Sequence, residues 1–69
     1  MTQEKIKKYL KQTGGNLTSK DKVFEGQRYQ YVAAFDSVSA YDDFSDITGL
    51  GGPTDFINGI FHVWFNGEE

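Results

Sequence analysis

Asn58-Gly59, which lies between two apolar stretches, constrains the fold of this chain more than any other feature of its sequence. An Asn-Gly pair in this setting is the strongest short-range signal for a β-hairpin, because both turn residues must adopt positive φ. The second stretch, residues 60–65, is apolar on both faces, which is typical of a central strand. The sequence therefore predicts a hairpin over residues 54–65. The alternative is a short helix that starts at Thr54 and ends at Gly59.

A further strand is predicted over residues 27–35, where side chains alternate with a period of two. The residues on one side of this strand are Tyr29, Tyr31, Ala33 and Phe35. A helix that begins near Val32 fits part of the same pattern, so residues 32–36 stay open between the two structures. Together with the hairpin, this strand makes an antiparallel sheet of three strands, or of four if Val23-Phe24 pairs beyond a turn at Gly26.

The N-terminal segment has the pattern of a short amphipathic helix. Thr2 can cap a helix over residues 3–12, with an acid in the first turn and a lysine in the last, both favourable to the helix dipole. One apolar stripe is formed by Ile6, Tyr9 and Leu10. Gly14-Gly15 ends the helix.

Residues 39–52, SAYDDFSDITGLGG, hold three aspartates within five positions and then run into glycine. Ser39 and Asp42 have the spacing of a capping box, which predicts a helix over residues 40–48 with acids in its first turn. Gly49 can supply the left-handed residue at the end of this helix.

An apolar stripe of Tyr41, Phe44 and Ile47 would dock this acidic helix, with Leu50 folding back on Phe44. A calcium loop is not a satisfactory interpretation of the same residues. An EF-hand loop that starts at Asp42 would place Phe44 at its third position, where an oxygen ligand is required.

These elements predict an α+β fold for a single small domain that covers residues 1–69. A small antiparallel sheet of three to four strands would be covered on one face by the N-terminal helix and the short acidic helix. The acidic helix would lie in the crossover between the strand and the hairpin. The expected core residues are Phe35, Phe44, Phe61, Val63 and Phe65.

Composition argues against catalysis and against cofactor or metal binding. The chain has no cysteine and one histidine, His62, so it lacks the ligands of a cysteine-based metal site and the parts of a charge-relay site. We expect no enzyme, no cofactor and no metal. No stretch approaches the roughly 18 apolar residues of a membrane span, and the lysine-rich N-terminus is not a secretory signal. We expect no membrane association and a cytoplasmic location.

Charge is divided unevenly along the chain. All seven basic residues lie in residues 1–28, which carry a net charge of +4, whereas residues 29–69 contain seven acids and carry −7. We therefore expect a non-catalytic binding protein that occupies a basic surface of a larger partner protein through an acidic and aromatic patch. The expected patch residues are Asp36, Tyr41, Asp42, Asp43, Asp46 and Trp64.

Other interpretations of the function remain open. Small acidic proteins of this kind suit an inhibitor or adaptor such as phages and mobile elements encode, and mimicry of DNA phosphates by the carboxylates is a further option. The alternative is a small nucleic-acid-binding protein that uses the basic helix and a stacking surface of the exposed tyrosines Tyr29 and Tyr31 with Arg28, although the pI of about 4.9 disfavours it. The residues expected for that alternative are Lys5, Lys7, Lys8, Lys11 and Arg28. A homodimer formed through an exposed sheet edge is a further option.

Overall fold

A computed structural model describes residues 1–67 as two helices packed on one antiparallel sheet of four strands. The elements in chain order are α1 (Gln3–Thr13), β1 (Gly15–Phe24), β2 (Gln27–Phe35), α2 (Val38–Thr48), β3 (Thr54–Ile57) and β4 (Ile60–Phe65). The strand order is β1-β2-β4-β3, so α2 lies in the crossover between β2 and the β3–β4 hairpin. The predicted α+β architecture is confirmed.

Helix α1 begins and ends as its sequence predicts. The Thr2 hydroxyl accepts a hydrogen bond from the Lys5 amide at 3.3 Å, and Gly14 adopts a left-handed φ of 87°. Ile6 and Leu10 are the residues of this helix that are fully buried, so the predicted apolar stripe faces the sheet.

Helix α2 begins two residues earlier than predicted, and the expected Ser39 cap is wrong. The Ser37 hydroxyl accepts a hydrogen bond from the Ala40 amide at 3.1 Å, whereas Ser39 is exposed inside the helix. The chain turns into the helix almost directly after β2 ends at Phe35, and this leaves Ser37 in the extended conformation that a cap requires. As a result, the first turn of α2 contains no acid.

The C-terminal end of α2 follows the prediction more closely. Gly49 has a φ of 72°, and its amide donates to the Ser45 carbonyl oxygen at 2.7 Å. Leu50 packs against the core, and its amide donates to the Thr48 hydroxyl at 3.1 Å.

The β3–β4 hairpin has the predicted turn, since Asn58 and Gly59 have φ values of 53° and 78°. The helical alternative for residues 54–59 is therefore wrong, and so is the helical alternative for residues 32–36, because β2 runs without interruption to Phe35.

Strand β1 was underestimated from the sequence. It is ten residues long, and only its last two residues were predicted to pair. It has an irregular register between Leu17 and Ser19, and Asp21 has a positive φ of 52°. Its polar middle carries no period-two pattern because an edge strand needs few buried side chains.

The core lies between the helices and one face of the sheet. The five residues expected there are buried, together with Ile6, Leu10, Tyr31, Ala33 and Ala40. Phe44 joins the layers, because its ring lies 5.6 Å from the rings of both Phe35 and Phe65. The expectation that Ile47 belongs to the buried stripe is wrong, because its side chain is 55% exposed.

The opposite face of the sheet carries Trp64, which is paired with Val32. The ring of Phe24, near the end of the β1–β2 hairpin, lies only 4.2 Å from the ring of Trp64. The hairpin therefore folds back over this face, and both Val32 and Trp64 are buried without a helix above them. Neither helix among residues 1–67 has the length and apolar character required to cross a membrane.

Candidate functional site

The solvent side of α2 carries the three aspartates. Asp42, Asp43 and Asp46 are all exposed, whereas Ala40 and Phe44 point into the core. Residues three and four apart lie next to each other on a helix, so the three carboxylates form one cluster. We call these three residues the acidic face.

Two aliphatic residues accompany the acidic face. Val38 is 49% exposed and Ile47 is 55% exposed. Val38, Asp42 and Asp46 are spaced four residues apart, which places them in one row at intervals of about 6 Å. Neither aliphatic residue was expected from the sequence to lie on the surface. Ile47 fits the predicted apolar stripe of this helix, and Val38 precedes its predicted start, so the sequence carries no signal that either residue is exposed.

Tyr41 lies beside the acidic face but belongs largely to the core. Its ring contacts the rings of Phe35 and Phe61, with centroid distances of 5.5 and 5.7 Å. Its hydroxyl lies against Gly51, where an added Cβ would come within 2.5 Å of the oxygen. Tyr41 therefore packs against the loop after α2 and is only partly exposed.

Trp64 does not adjoin the acidic face, contrary to the expectation from the sequence. It lies on the sheet face that the helices leave uncovered, and its side chain is 7% exposed. The reason is that β4 is apolar on both faces, so the residues that face away from the helices also become buried once the β1–β2 hairpin covers them.

Asp36 lies near the other end of α2. Its amide donates to the Gly14 carbonyl oxygen at 3.0 Å, and its carboxylate lies against Gly14, where an added Cβ would be 3.1 Å from Oδ2. Asp36 is exposed, and it is separated from Asp46 by almost the whole length of the helix.

An open groove lies between the start of α2 and the β3–β4 hairpin, with a volume of about 290 Å³. We call it the hairpin groove. The residues that line it include Phe35, Asp36, Val38, Phe56, Ile60 and Phe61. Phe35 and Phe61 are buried, whereas Phe56 is 60% exposed and Ile60 is 51% exposed. The sequence predicts the hairpin over residues 54–65 but gives no sign of a functional role for Phe56 or Ile60.

The basic residues lie on other surfaces of the molecule. The side chains of Lys5, Lys7, Lys8, Lys11 and Arg28 are exposed. Lys7 and Lys11 line a second groove, between α1 and β1, and the ammonium group of Lys20 donates to the Gln3 amide oxygen at 3.0 Å.

The tyrosines expected to form a stacking surface for nucleic-acid bases are not exposed together. Tyr31 is 2% exposed, and its ring packs 5.6 Å from that of Phe65. Tyr29 is partly buried, and Arg28 is paired with Val23 near the end of the β1–β2 hairpin. The expectation that Tyr31 is exposed is therefore wrong, because the side of β2 that carries it faces the helices.

His62, the one histidine of the chain, lies on β4. His62 is partly exposed, and its Nδ1 donates to the Ile60 carbonyl oxygen at 2.8 Å. Among residues 1–67 there is no group of three His, Cys, Asp or Glu side chains that could hold a metal ion.

Comparison of the chain with protein-family models, with curated proteins and with solved structures finds no match.

Proposed function

We propose that this protein is a non-catalytic binding protein that uses the acidic face of α2 to occupy a basic surface of a larger partner protein. The observation that carries this proposal is the position of Asp42, Asp43 and Asp46. All three are exposed to solvent, and two of them, Asp42 and Asp46, lie in a row with the exposed Val38.

The position at which α2 begins supports a binding role for the three aspartates. Acids in the first turn of a helix are explained by the helix dipole, and that stabilisation falls off within one turn. Because Ser37 caps α2, the three aspartates lie beyond its first turn, and helix formation alone does not account for them. Clustered carboxylates repel one another, but they steer a basic partner towards the surface that carries them.

An inhibitor or adaptor of the kind that phages or other mobile elements direct at host proteins is the role that best suits a small chain with this surface. Such a protein acts by covering a surface of its target, which requires charge and shape complementarity and no catalytic group. Binding to nucleic acid through the lysines of α1 is the competing function.

Affinity capture from a lysate of the source cells tests the proposal, with and without nuclease. We expect a discrete protein that survives nuclease treatment and is lost with the variant Asp42→Lys/Asp43→Lys/Asp46→Lys. The variant Lys5→Glu/Lys8→Glu/Lys11→Glu reverses three charges on α1 and serves as the matched control, which should retain the partner. Circular dichroism shows whether each variant is folded.

Two results would overturn the proposal. The first is full retention of the partner by the folded aspartate variant, because binding would then not depend on the acidic face. The second is recovery of nucleic acid alone, lost on nuclease treatment and on reversal of the α1 lysines, because the function would then belong to α1.

A further inference from the structure

The hairpin groove is an open surface with a largely apolar lining. Of the large apolar residues that are well exposed, three border it or stand at its wall: Val38, Phe56 and Ile60. Exposed apolar residues that cluster in one place mark interaction sites, whereas isolated ones need no explanation.

The shape of the groove suits side chains of a partner. Its floor is made by the buried rings of Phe35 and Phe61, and the exposed ring of Phe56 stands over Phe61 at a centroid distance of 5.2 Å. A volume of about 290 Å³ lies at the small end of the range for ligand pockets. The groove therefore has room for one or two side chains and not for an extended ligand.

The charges in and beside the groove favour a basic partner. Among residues 1–67, Asp36 is the ionisable residue that lines the groove, and no lysine or arginine of this range lines it. From Val38 at the groove wall, the row continues to Asp42 and Asp46 at steps of about 6 Å along α2. An apolar side chain in the groove would thus be followed by carboxylates along the helix.

The edge of β3 argues against the addition of a partner strand. The Trp64 amide donates to the Pro53 carbonyl oxygen at 2.9 Å, so alternation along the strand directs the amide of Phe56 away from β4. That amide already donates to the Asp55 carboxylate at 2.8 Å. A partner strand would have to displace Asp55, whereas a side chain can enter the groove with this hydrogen bond intact.

We infer that the hairpin groove is the anchor site for a basic, amphipathic segment of the partner. A large apolar side chain of that segment enters between Val38 and Phe56, and its lysine or arginine residues follow the row to Asp42 and Asp46. The inference rests on the proposed function and adds the source of affinity, because buried apolar anchors dominate binding while exposed charges mainly steer it.

A peptide titration tests the inference with the full chain. The probe is a fluorescein-labelled helical 15-residue peptide of leucine, lysine and alanine, with leucines on one face and lysines beside them. Two matched peptides replace every leucine with serine or every lysine with glutamate. Binding is followed by fluorescence anisotropy, and the site is located by amide chemical-shift changes in NMR spectra.

The protein variants separate the groove from the acidic face. Phe56→Ser/Ile60→Ser removes the exposed walls of the groove. Val23→Ser is the matched control, because Val23 and Phe56 are each 60% exposed and Val23 lies on the other hairpin. The triple aspartate variant reports on the acidic face, and circular dichroism verifies that each variant is folded.

We expect saturable binding of the leucine–lysine peptide, with chemical-shift changes at Val38, Phe56 and Ile60. Phe56→Ser/Ile60→Ser should weaken binding about tenfold or more, as the loss of an anchor does, and Val23→Ser should leave it unchanged. Both matched peptides should bind about tenfold more weakly than the parent peptide.

The inference is overturned if the wild-type protein does not bind the leucine–lysine peptide saturably, or if the folded groove variant binds it as tightly as Val23→Ser does. When only the triple aspartate variant loses binding, the proposed function stands and the anchor site fails. When only the groove variant loses binding, the acidic face has no role in binding the peptide. The pairing of basic residues with Asp42 and Asp46 then fails, and the proposed function fails with it.

Discussion

The two hairpins of this protein have turns of the same geometry, but they differ in how far their aromatic residues are buried. Each turns through two residues at positive φ: Glu25 and Gly26 at 49° and 82°, and Asn58 and Gly59 at 53° and 78°. The β1–β2 hairpin buries part of Phe24 against Trp64, whereas the β3–β4 hairpin leaves Phe56 60% exposed.

The difference follows from length and position. Strand β1 has ten residues, and the β1–β2 hairpin extends beyond the end of β4, so it can fold back over the uncovered face of the sheet. Strand β3 has four residues and forms the other edge of the sheet, where neither helix covers it. A turn fixes the register of a hairpin, but it does not decide which side chains become buried.

The exposure of Phe56 therefore does not follow from the two-residue turn itself. The same chain shows that an aromatic residue near a two-residue turn can be covered. This contrast supports the assignment of a partner to the β3–β4 side, and it can be tested by measuring what each hairpin contributes to stability.

Substitution of the two aromatic anchors should give the largest contrast. Trp64→Ala should lower the free energy of unfolding by about 3–5 kcal/mol, because it empties a buried site and releases Phe24. Phe56→Ala should cost less than about 1 kcal/mol, because most of that side chain is already in water. Urea unfolding followed by circular dichroism measures both values.

If Trp64→Ala does not fold, Trp64→Phe measures the contribution of this site instead, because a smaller buried ring should lose only part of the stability. A loss for Phe56→Ala as large as that for Trp64→Ala would contradict the contrast between the hairpins.

The turn glycines should behave alike, because the two turns have the same geometry. Gly59→Ala and Gly26→Ala should each cost about 1–2 kcal/mol, the price of a left-handed alanine. An added Cβ meets nothing within 4 Å at either position, so no clash distinguishes them. Thermal unfolding of the two variants provides the comparison. A difference of more than about 1 kcal/mol between them would show that the turns are not equivalent.

The elements that the sequence predicted correctly are those with a strong local signal. The alternation before Phe35, the Asn-Gly turn and the apolar stripe of Ile6 and Leu10 each favour one structure locally, although helical alternatives stayed open for residues 32–36 and 54–59. Because they share one apolar layer, the five predicted core residues followed from them, as did the two-helix cover on one face of the sheet.

The features that were missed depend on tertiary contacts. Most of β1 is polar, and its pairing is decided by β2. Ser37 and Ser39 are chemically equal candidates for the helix cap, and the end of β2 selects between them. Trp64 belongs to a strand that is apolar on both faces, so its burial depends on a hairpin that returns from far along the chain.

For the candidate site, the sequence located the acids but not the apolar surface beside them. The carboxylates of the acidic face were expected to be exposed, and they are. Phe56 and Ile60 were hidden in the hairpin pattern, because alternation assigns the face of a strand and cannot show that no helix covers its end.

The smallest expected effect concerns the first residue of each turn, where the two hairpins differ in chemistry. Glutamate in the left-handed region is strained, whereas asparagine tolerates it because its short side chain bonds locally. Glu25→Asn should therefore raise the free energy of unfolding by about 0.5 kcal/mol, and Asn58→Glu should lower it by a similar amount. Glu25→Gln removes the charge without relieving the backbone and should leave the stability unchanged. If Glu25→Gln stabilises the protein as much as Glu25→Asn does, the effect at residue 25 comes from charge, and the two turns are alike in backbone strain despite their different residues.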